Sequence, residues 1–176
     1  MKKEFQENVR KFGLLGRNIS YSFSRGYFRE KFEREGITAT YENFDLASIS
    51  QLKEVLKLNP GLEGFNVTIP YKEEILDLLD HIDPTARKIG AINTVKVLKS
   101  GELTGFNTDY IGFSAAIKPF LRPHHQKALI LGTGGASKAI IYALPQLGIT
   151  PVAVSRNPKN ASLTYKDLNE KILKEH

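Results

Sequence analysis

The sequence predicts an α/β protein in two parts, and three observations carry that prediction. Strand-like apolar runs alternate with helical periodicity three times between residues 12 and 79, the alternation that builds a largely parallel sheet with helices on both faces. A polar stretch, Arg122-Pro123-His124-His125-Gln126, then interrupts the pattern. After it a single strand, glycine turn, helix and strand follow before the last residues.

Phe12 to Gly16 reads as a buried strand, and Arg25 to Arg34 follows with Phe28 and Phe32 one helical turn apart. Thr38 to Phe44 is rich in β-formers, after which Ile49, Leu52, Val55 and Leu56 recur at helical spacing until Asn59-Pro60-Gly61 breaks the helix. Gly64 to Ile69 makes a third strand, and Pro70 opens a helix carrying Ile75, Leu78 and Leu79 on one side. Ala91 to Leu98 and Leu103 to Phe106 flank Lys99-Ser100-Gly101-Glu102, a turn sequence that predicts a hairpin and turns the first sheet into a mixed one. Asp109 to Phe120 reads as a helix leading into the linker. The expected division is residues 1–117 and residues 118–176.

Beyond the linker, Lys127 to Leu131 is a strand, Gly132 to Gly135 a turn, Ala136 to Leu147 a helix and Pro151 to Val154 a second strand. Only a helical segment, Tyr165 to Lys174, remains, with no apolar run for a third strand, so the second domain reads as incomplete. An unfinished sheet edge suggests association, such as a homodimer, or disorder after about Gln126.

Composition excludes several classes of function. There is no cysteine, which removes disulfides, thiolate metal sites and cysteine nucleophiles and suits a reducing cytoplasm. The four histidines show no metal-ligand spacing, so no metal is expected. The opening residues follow their lysines with acids and amides rather than with the apolar stretch of a secretory signal. No apolar run approaches the ~20 residues that span a bilayer, so no membrane role is expected. Charge is uneven: residues 1–117 carry 16 basic and 16 acidic side chains, residues 118–176 carry 9 and 3. The basic excess of the last third suits a phosphorylated cofactor, or simply acidic segments absent from this chain. Its lysines are scattered singly with no aromatic platform between them, which argues against nucleic acid.

Gly132-Thr133-Gly134-Gly135-Ala136-Ser137 lies between a strand and a helix, where glycines let the backbone approach a pyrophosphate and the helix N-terminus offers free N–H donors. Its third position is Ser137, which makes it a variant of the Rossmann dinucleotide fingerprint. At the end of the next strand, Ser155-Arg156-Asn157 stands where NAD-specific proteins place an acid for the ribose 2′-hydroxyl. An arginine there, with Lys159 nearby, favours the 2′-phosphate of NADP; a solvated loop arginine is the plainer alternative.

Polar clusters stand at strand ends in the first part, where open α/β sheets place their ligands. They are Ser22 with Ser24, the run Asn66 to Lys72 including Thr68, Asn93-Thr94, and Asn107-Thr108-Asp109. Such side chains suit a polyhydroxylated ligand. Ser24 and Thr108 read equally as helix caps, and Asn93 as a turn residue. Lys72 is harder to explain that way. A cation near a helix start is disfavoured by the dipole, which would press its pKa downward and suit proton exchange, with Asp109 as an orienting partner.

These same residues carry a resemblance. Gly16 to Ser24 resembles the serine motif of the shikimate dehydrogenase family, and Asn66-Val67-Thr68-Ile69-Pro70-Tyr71-Lys72 resembles its NVTxPxK motif. Gly90-Ala91-Ile92-Asn93-Thr94 is similar to GAxNT, Gly105 to Gly112 to GxNTDxxG, and Gly132 to Ser137 to GxGGAS. The resemblance implies NADP-dependent reduction of 3-dehydroshikimate to shikimate, a step toward chorismate and the aromatic amino acids, by a cytoplasmic oxidoreductase. It implies substrate contacts by Ser22, Ser24, Asn66, Thr68, Asn93 and Asp109, with Lys72 as the acid or base. The cofactor contacts would come from Gly132, Thr133, Gly134, Gly135, Ala136, Ser137, Ser155, Arg156, Asn157 and Lys159. There are departures. Arg25 and Gly26 follow Ser24 where the family has proline, and the NRTxxK motif appears as Ser155-Arg156-Asn157-Pro158-Lys159-Asn160 with its lysine displaced. The family's later NTTPxGM segment and its C-terminal glutamine have no counterpart. A dehydrogenase using quinate or NAD, and a noncatalytic shikimate-binding fragment, are the rival expectations.

Overall fold

The computed structural model describes residues 9–157, 159 and 161–175. The opening residues used to judge a leader, and Pro158 and Asn160 of the displaced motif, lie outside the described residues. The chain forms two compact units. The first comprises residues up to Ile82 together with Asn93–Gly105, the second Asp83–Ile92 together with residues from Phe106 onward.

In the first unit, β1 (Arg10–Gly16), α1 (Ser24–Glu35), β2 (Ala39–Asp45), α2 (Leu52–Leu58) and β3 (Leu62–Val67) follow in sequence. With β4 (His81–Ile82), β5 (Thr94–Val97) and β6 (Leu103–Phe106) they build a six-stranded sheet in the order β2-β1-β3-β5-β6-β4. Strand β1 runs parallel to both β2 and β3, and β5 runs antiparallel to β3. The chain steps from β1 to one neighbour through α1 and then to the other through α2. Right-handed crossovers therefore put the two helices on opposite faces.

Beneath α1, Leu14, Ile19, Phe32 and Tyr41 are buried together with Phe12 and Phe28 against them, and Phe28 stacks on Tyr41 at 4.4 Å between ring centroids. Each such side chain contributes roughly 1.5–3 kcal/mol of burial. Helix α1 stops at Gly36, whose φ of 64° turns its N–H back onto the carbonyls of Phe32 and Glu33. The segment after Pro70 is not the expected helix. Tyr71 donates its N–H to Thr68 O at 3.0 Å, closing a turn, and only a five-residue 3-10 helix, Glu74–Leu78, follows. Strand β4 had no signal in the local pattern either. Asp80 exchanges bonds with Leu103, its N–H donating to the carbonyl at 3.1 Å and its Oδ2 accepting from the amide at 2.8 Å, which lays His81 and Ile82 beside β6.

In the second unit, α3 (Pro84–Ile89) is capped by Asp83, whose Oδ1 accepts from the amides of Thr85 and Ala86 at 2.9 and 3.0 Å. It packs with α4 (Asp109–Ile117) and α5 (Gly135–Ala143): Ile89, Ala91 and Ala139 are buried together, and Tyr110 meets Tyr142 edge-on at 5.4 Å. Residues 83–92 and 106–117, which the sequence groups with the first part, thus join the unit that carries the glycine turn. Strands β7 (Lys127–Leu131), β8 (Thr150–Ser155) and β9 (Leu163–Thr164) form a parallel sheet in that order. Strand β9 corrects the expectation that no third strand exists, and the last helix, α6, covers Glu170–Glu175 rather than beginning at Tyr165. Two residues are too few for a periodic signal; Asp167 fixes this turn by accepting the Thr164 N–H and O–H at 2.6 and 2.7 Å.

Candidate active site

The carboxyl ends of β1 and β3 lie side by side, and the loops that leave them carry most of the predicted substrate residues. Thr68 donates its N–H to Leu15 O at 2.9 Å and Arg17 donates to Ile69 O at 3.1 Å, so the serine loop and the Thr68–Lys72 turn are joined by their backbones. Gly16 stands at this junction. A Cβ there would lie 2.6 Å from both Ile19 Cγ2 and Thr68 Cγ2. Because β5 is antiparallel to β3, its first residues come to the same end, and Val67 N–H donates to Asn93 O at 2.8 Å. Ser22, Ser24, Asn66, Thr68, Lys72 and Asn93 therefore gather at one end of one sheet.

The side chains of two of them, Asn66 and Asn93, are already connected through Thr94. Asn66 Oδ1 accepts from the Tyr41 hydroxyl at 2.8 Å, while its Nδ2 faces Asn93 O and Thr94 Oγ1, each at 3.3 Å. Thr94 in turn donates to Asn93 Oδ1 at 3.0 Å. Burial pushes the Tyr41 phenol above its ordinary pKa, and the hydrogen bond with the Ser24 hydroxyl works against that shift. Ser24 is no side-chain cap for α1; its own amide donates to Ser22 Oγ at 3.2 Å. Ser22 also lines a cavity of about 450 Å³ with Arg25 and Arg29, cations one helical turn apart on α1. Lys72 is half-buried in the turn ahead of the 3-10 helix. The helix expected to act on it electrostatically is thus only this short segment, two residues further on.

Tyr71, beside Lys72, anchors that turn. It is 1% exposed, and its hydroxyl donates to Leu46 O at 2.6 Å, tying the turn to the residue after β2. Tyr41 was not singled out from the sequence, and Thr94 and Tyr71 stood there only as members of the polar clusters, with no role of their own. The only advance signal was a tyrosine or threonine at a strand end, which burial alone also explains.

In the second unit, Asp109 is the first residue of α4, where a carboxylate is favoured by the helix dipole. Thr108 makes no side-chain cap; the buried Asn107 does that work, its Oδ1 accepting the Asp109 amide at 3.0 Å while its Nδ2 donates to Ala91 O at 2.9 Å. The glycine turn lies between β7 and α5 as predicted. Gly132 has a φ of 125°, a conformation side chains rarely adopt, and its N–H donates to Val154 O at 2.9 Å. Gly134 occupies the N-cap of α5 with no side-chain cap, and a Cβ there would meet nothing within 4 Å. The first-turn amides of Gly135, Ala136 and Ser137 thus receive no side-chain cap from residue 134, an arrangement suited to a pyrophosphate. At the end of β8, Ser155 is buried and lies 3.5 Å from Thr133 across the turn, hydroxyl to hydroxyl. Its Oγ accepts the Asn157 amide at 3.2 Å, and Asn157 Oδ1 accepts that of Lys159 at 3.0 Å. Arg156, just past the end of β8, is exposed, so the residues present fit a phosphorylated dinucleotide. Among the described residues no three histidine, aspartate or glutamate side chains group as a metal site, and no helix is long and apolar enough to cross a membrane.

Residues 14–95, which hold the serine loop, the Lys72 turn and Asn93, match the family model of the shikimate dehydrogenase substrate binding domain. Over this span the chain carries a shikimate dehydrogenase substrate binding domain. It is 41% identical over 158 residues to the NADP(+) shikimate dehydrogenase of Clostridium botulinum, a match covering 88% of this chain and 60% of that relative. Among solved structures, shikimate dehydrogenase 1 from Peptoclostridium difficile superimposes with a TM-score of 0.80 at 39% identity, over 88% of this chain and 58% of the other. The Thermus thermophilus shikimate dehydrogenase in complex with NADP(H) and shikimate does so with a TM-score of 0.78 at 34% identity, over 88% and 59%. The chain therefore spans about three fifths of the length of the family members it matches. The serine loop, the Lys72 turn and Asn93 lie in the first unit, and Asp109 lies with the glycine turn in the second.

Proposed function

We propose that the protein reduces 3-dehydroshikimate to shikimate with NADPH in the cytoplasm. One observation carries this reading: six polar or basic side chains from three separate segments of a shikimate dehydrogenase substrate domain gather at the carboxyl end of its sheet. The hydroxyls of Ser22, Ser24 and Thr68 and the amides of Asn66 and Asn93 hold the carboxylate and ring hydroxyls of the substrate. Bound NADPH would supply hydride to the ring carbonyl carbon; the α5 amides hold its pyrophosphate, and Arg156 with Lys159 its 2′-phosphate. Lys72 Nζ gives a proton to the oxygen that becomes the alcohol and takes it back in the reverse direction. Asp109, the other residue assigned to the reaction, takes a substrate hydroxyl. The lack of cysteine agrees with a reducing compartment.

The test is turnover of shikimate with NADP by this protein and by two variants. Lys72→Ala and Asp109→Asn should lower kcat by about two to four orders of magnitude, the usual weight of an acid or base, with a smaller change in KM. Unchanged turnover in both variants would refute the roles assigned to them. Calorimetric binding of shikimate without NADP would instead support a substrate-binding fragment.

A further inference from the structure

We infer that β2 is a positioning element for the substrate-binding serines, acting through three alternate residues, Tyr41, Asn43 and Asp45. Side chains two apart on a strand share a face, and on this strand all three reach the loop and helix start that carry Ser22 and Ser24. The Asp45 carboxylate accepts two successive amides, from Asn18 to Oδ1 at 2.7 Å and from Ile19 to Oδ2 at 3.0 Å. Asn43 Nδ2 donates to the carbonyl of the same Ile19 at 3.2 Å. Ile19 is thus gripped at both ends of its backbone, and its carbonyl also accepts the Ser22 N–H at 2.9 Å. Tyr41 completes the set: it lines one cavity with Ser22 and donates its hydroxyl to Asn66 Oδ1 at 2.8 Å.

Packing alone does not call for these residue types. The face is apolar where it meets α1, with Leu14 opposite Asn43 in register. Asn43 Oδ1 is buried with no partner among the described residues, a costly placement for an amide whose other atom has a task. The turn it secures includes Asn18 at a φ of 55°, a conformation that asparagine tolerates but that a free loop rarely keeps. The two carboxylate bonds are charge-assisted and hold this conformation before any ligand arrives, so less ordering remains to oppose binding.

This inference rests on shikimate as the ligand of Ser22 and Ser24. Its test is calorimetry of the 176-residue protein with shikimate and separately with NADP, comparing the parent with Asp45→Asn, Asn43→Ala and Tyr41→Phe. The Asp45 variant should bind shikimate about tenfold more weakly or worse, with NADP affinity unchanged, since ordering of the loop must then be supplied on binding. Adding Ser22→Ala to Asp45→Asn should cost less than the two separate losses multiplied, because both act on one contact. Tyr41→Phe keeps the ring and its packing, so a weaker shikimate affinity there isolates the hydroxyl. A lower melting temperature with unchanged shikimate affinity in all three variants would reduce β2 to a purely structural role and overturn the inference. A parent that binds NADP but not shikimate would overturn the substrate reading itself, and with it the assignment to these serines.

Discussion

Removing a single oxygen from Tyr71 tests how the turn before Lys72 is built. The Tyr71 side chain is 1% exposed and its hydroxyl donates to Leu46 O at 2.6 Å; Leu46 is itself 7% exposed. Tyr71→Phe keeps the ring in place but leaves a buried carbonyl with its hydroxyl partner removed, a cost of about 1–3 kcal/mol. For a unit of ~100 residues each kcal/mol lowers Tm by roughly 4–8 °C, so a fall of about 10 °C in the unfolding of the first unit is expected. Circular dichroism during heating and in urea measures it, with the urea midpoint falling and the slope unchanged. The neighbouring Lys72 loses its anchored backbone, so kcat should fall alongside. A midpoint within ~0.3 kcal/mol of the parent would show that water satisfies the Leu46 carbonyl and would refute the reasoning.

Gly16→Ala places a methyl 2.6 Å from Ile19 Cγ2 and Thr68 Cγ2; the two loops must part, and shikimate affinity measured by calorimetry should fall about tenfold for a strain of 1–3 kcal/mol. Arg156→Ala should weaken NADP by roughly tenfold while leaving NAD nearly unchanged, because the guanidinium is assigned to the 2′-phosphate alone; equal losses for both nucleotides would remove that assignment. The Arg10 guanidinium, bonded to Glu63 at 2.8 Å, holds the Glu63 carboxyl below its usual range. A depressed carboxylate adds stability above its unfolded-state pKa and loses it as pH falls through the folded-state value. The stability gap between the parent and Glu63→Gln, read from urea midpoints, should therefore be open at neutral pH and close on acidification; a gap that widens in acid would contradict this.

Which elements were legible in the sequence follows from the range of the interactions that make them. Strands β1, β2, β3, β7 and β8 and helices α1 and α5 are long enough for apolar periodicity to mark them, and the structure moves their ends by only a few residues. The glycine turn was legible because a φ of 125° at Gly132 demands glycine whatever surrounds it. The Pro70 helix failed for the opposite reason: Tyr71 is pulled by Leu46, a residue 25 positions earlier, and that distant bond outweighs local helical preference. Strands β4 and β9 have two residues each and exist only because Leu103 and Val154 lie alongside.

The amino-acid order by itself determined the α/β alternation, the family likeness, the candidate residues and their chemical types, since each depends on side-chain identity at short spacing. Only the tertiary structure decided that the serine loop and the Lys72 turn share a backbone junction at Gly16, that α3 and α4 pack with α5, and that Asn43 and Asp45 hold the Asn18–Ile19 turn from a neighbouring strand. Those relations join residues tens of positions apart, and no local pattern encodes a contact whose partners meet only after the sheet has closed around them.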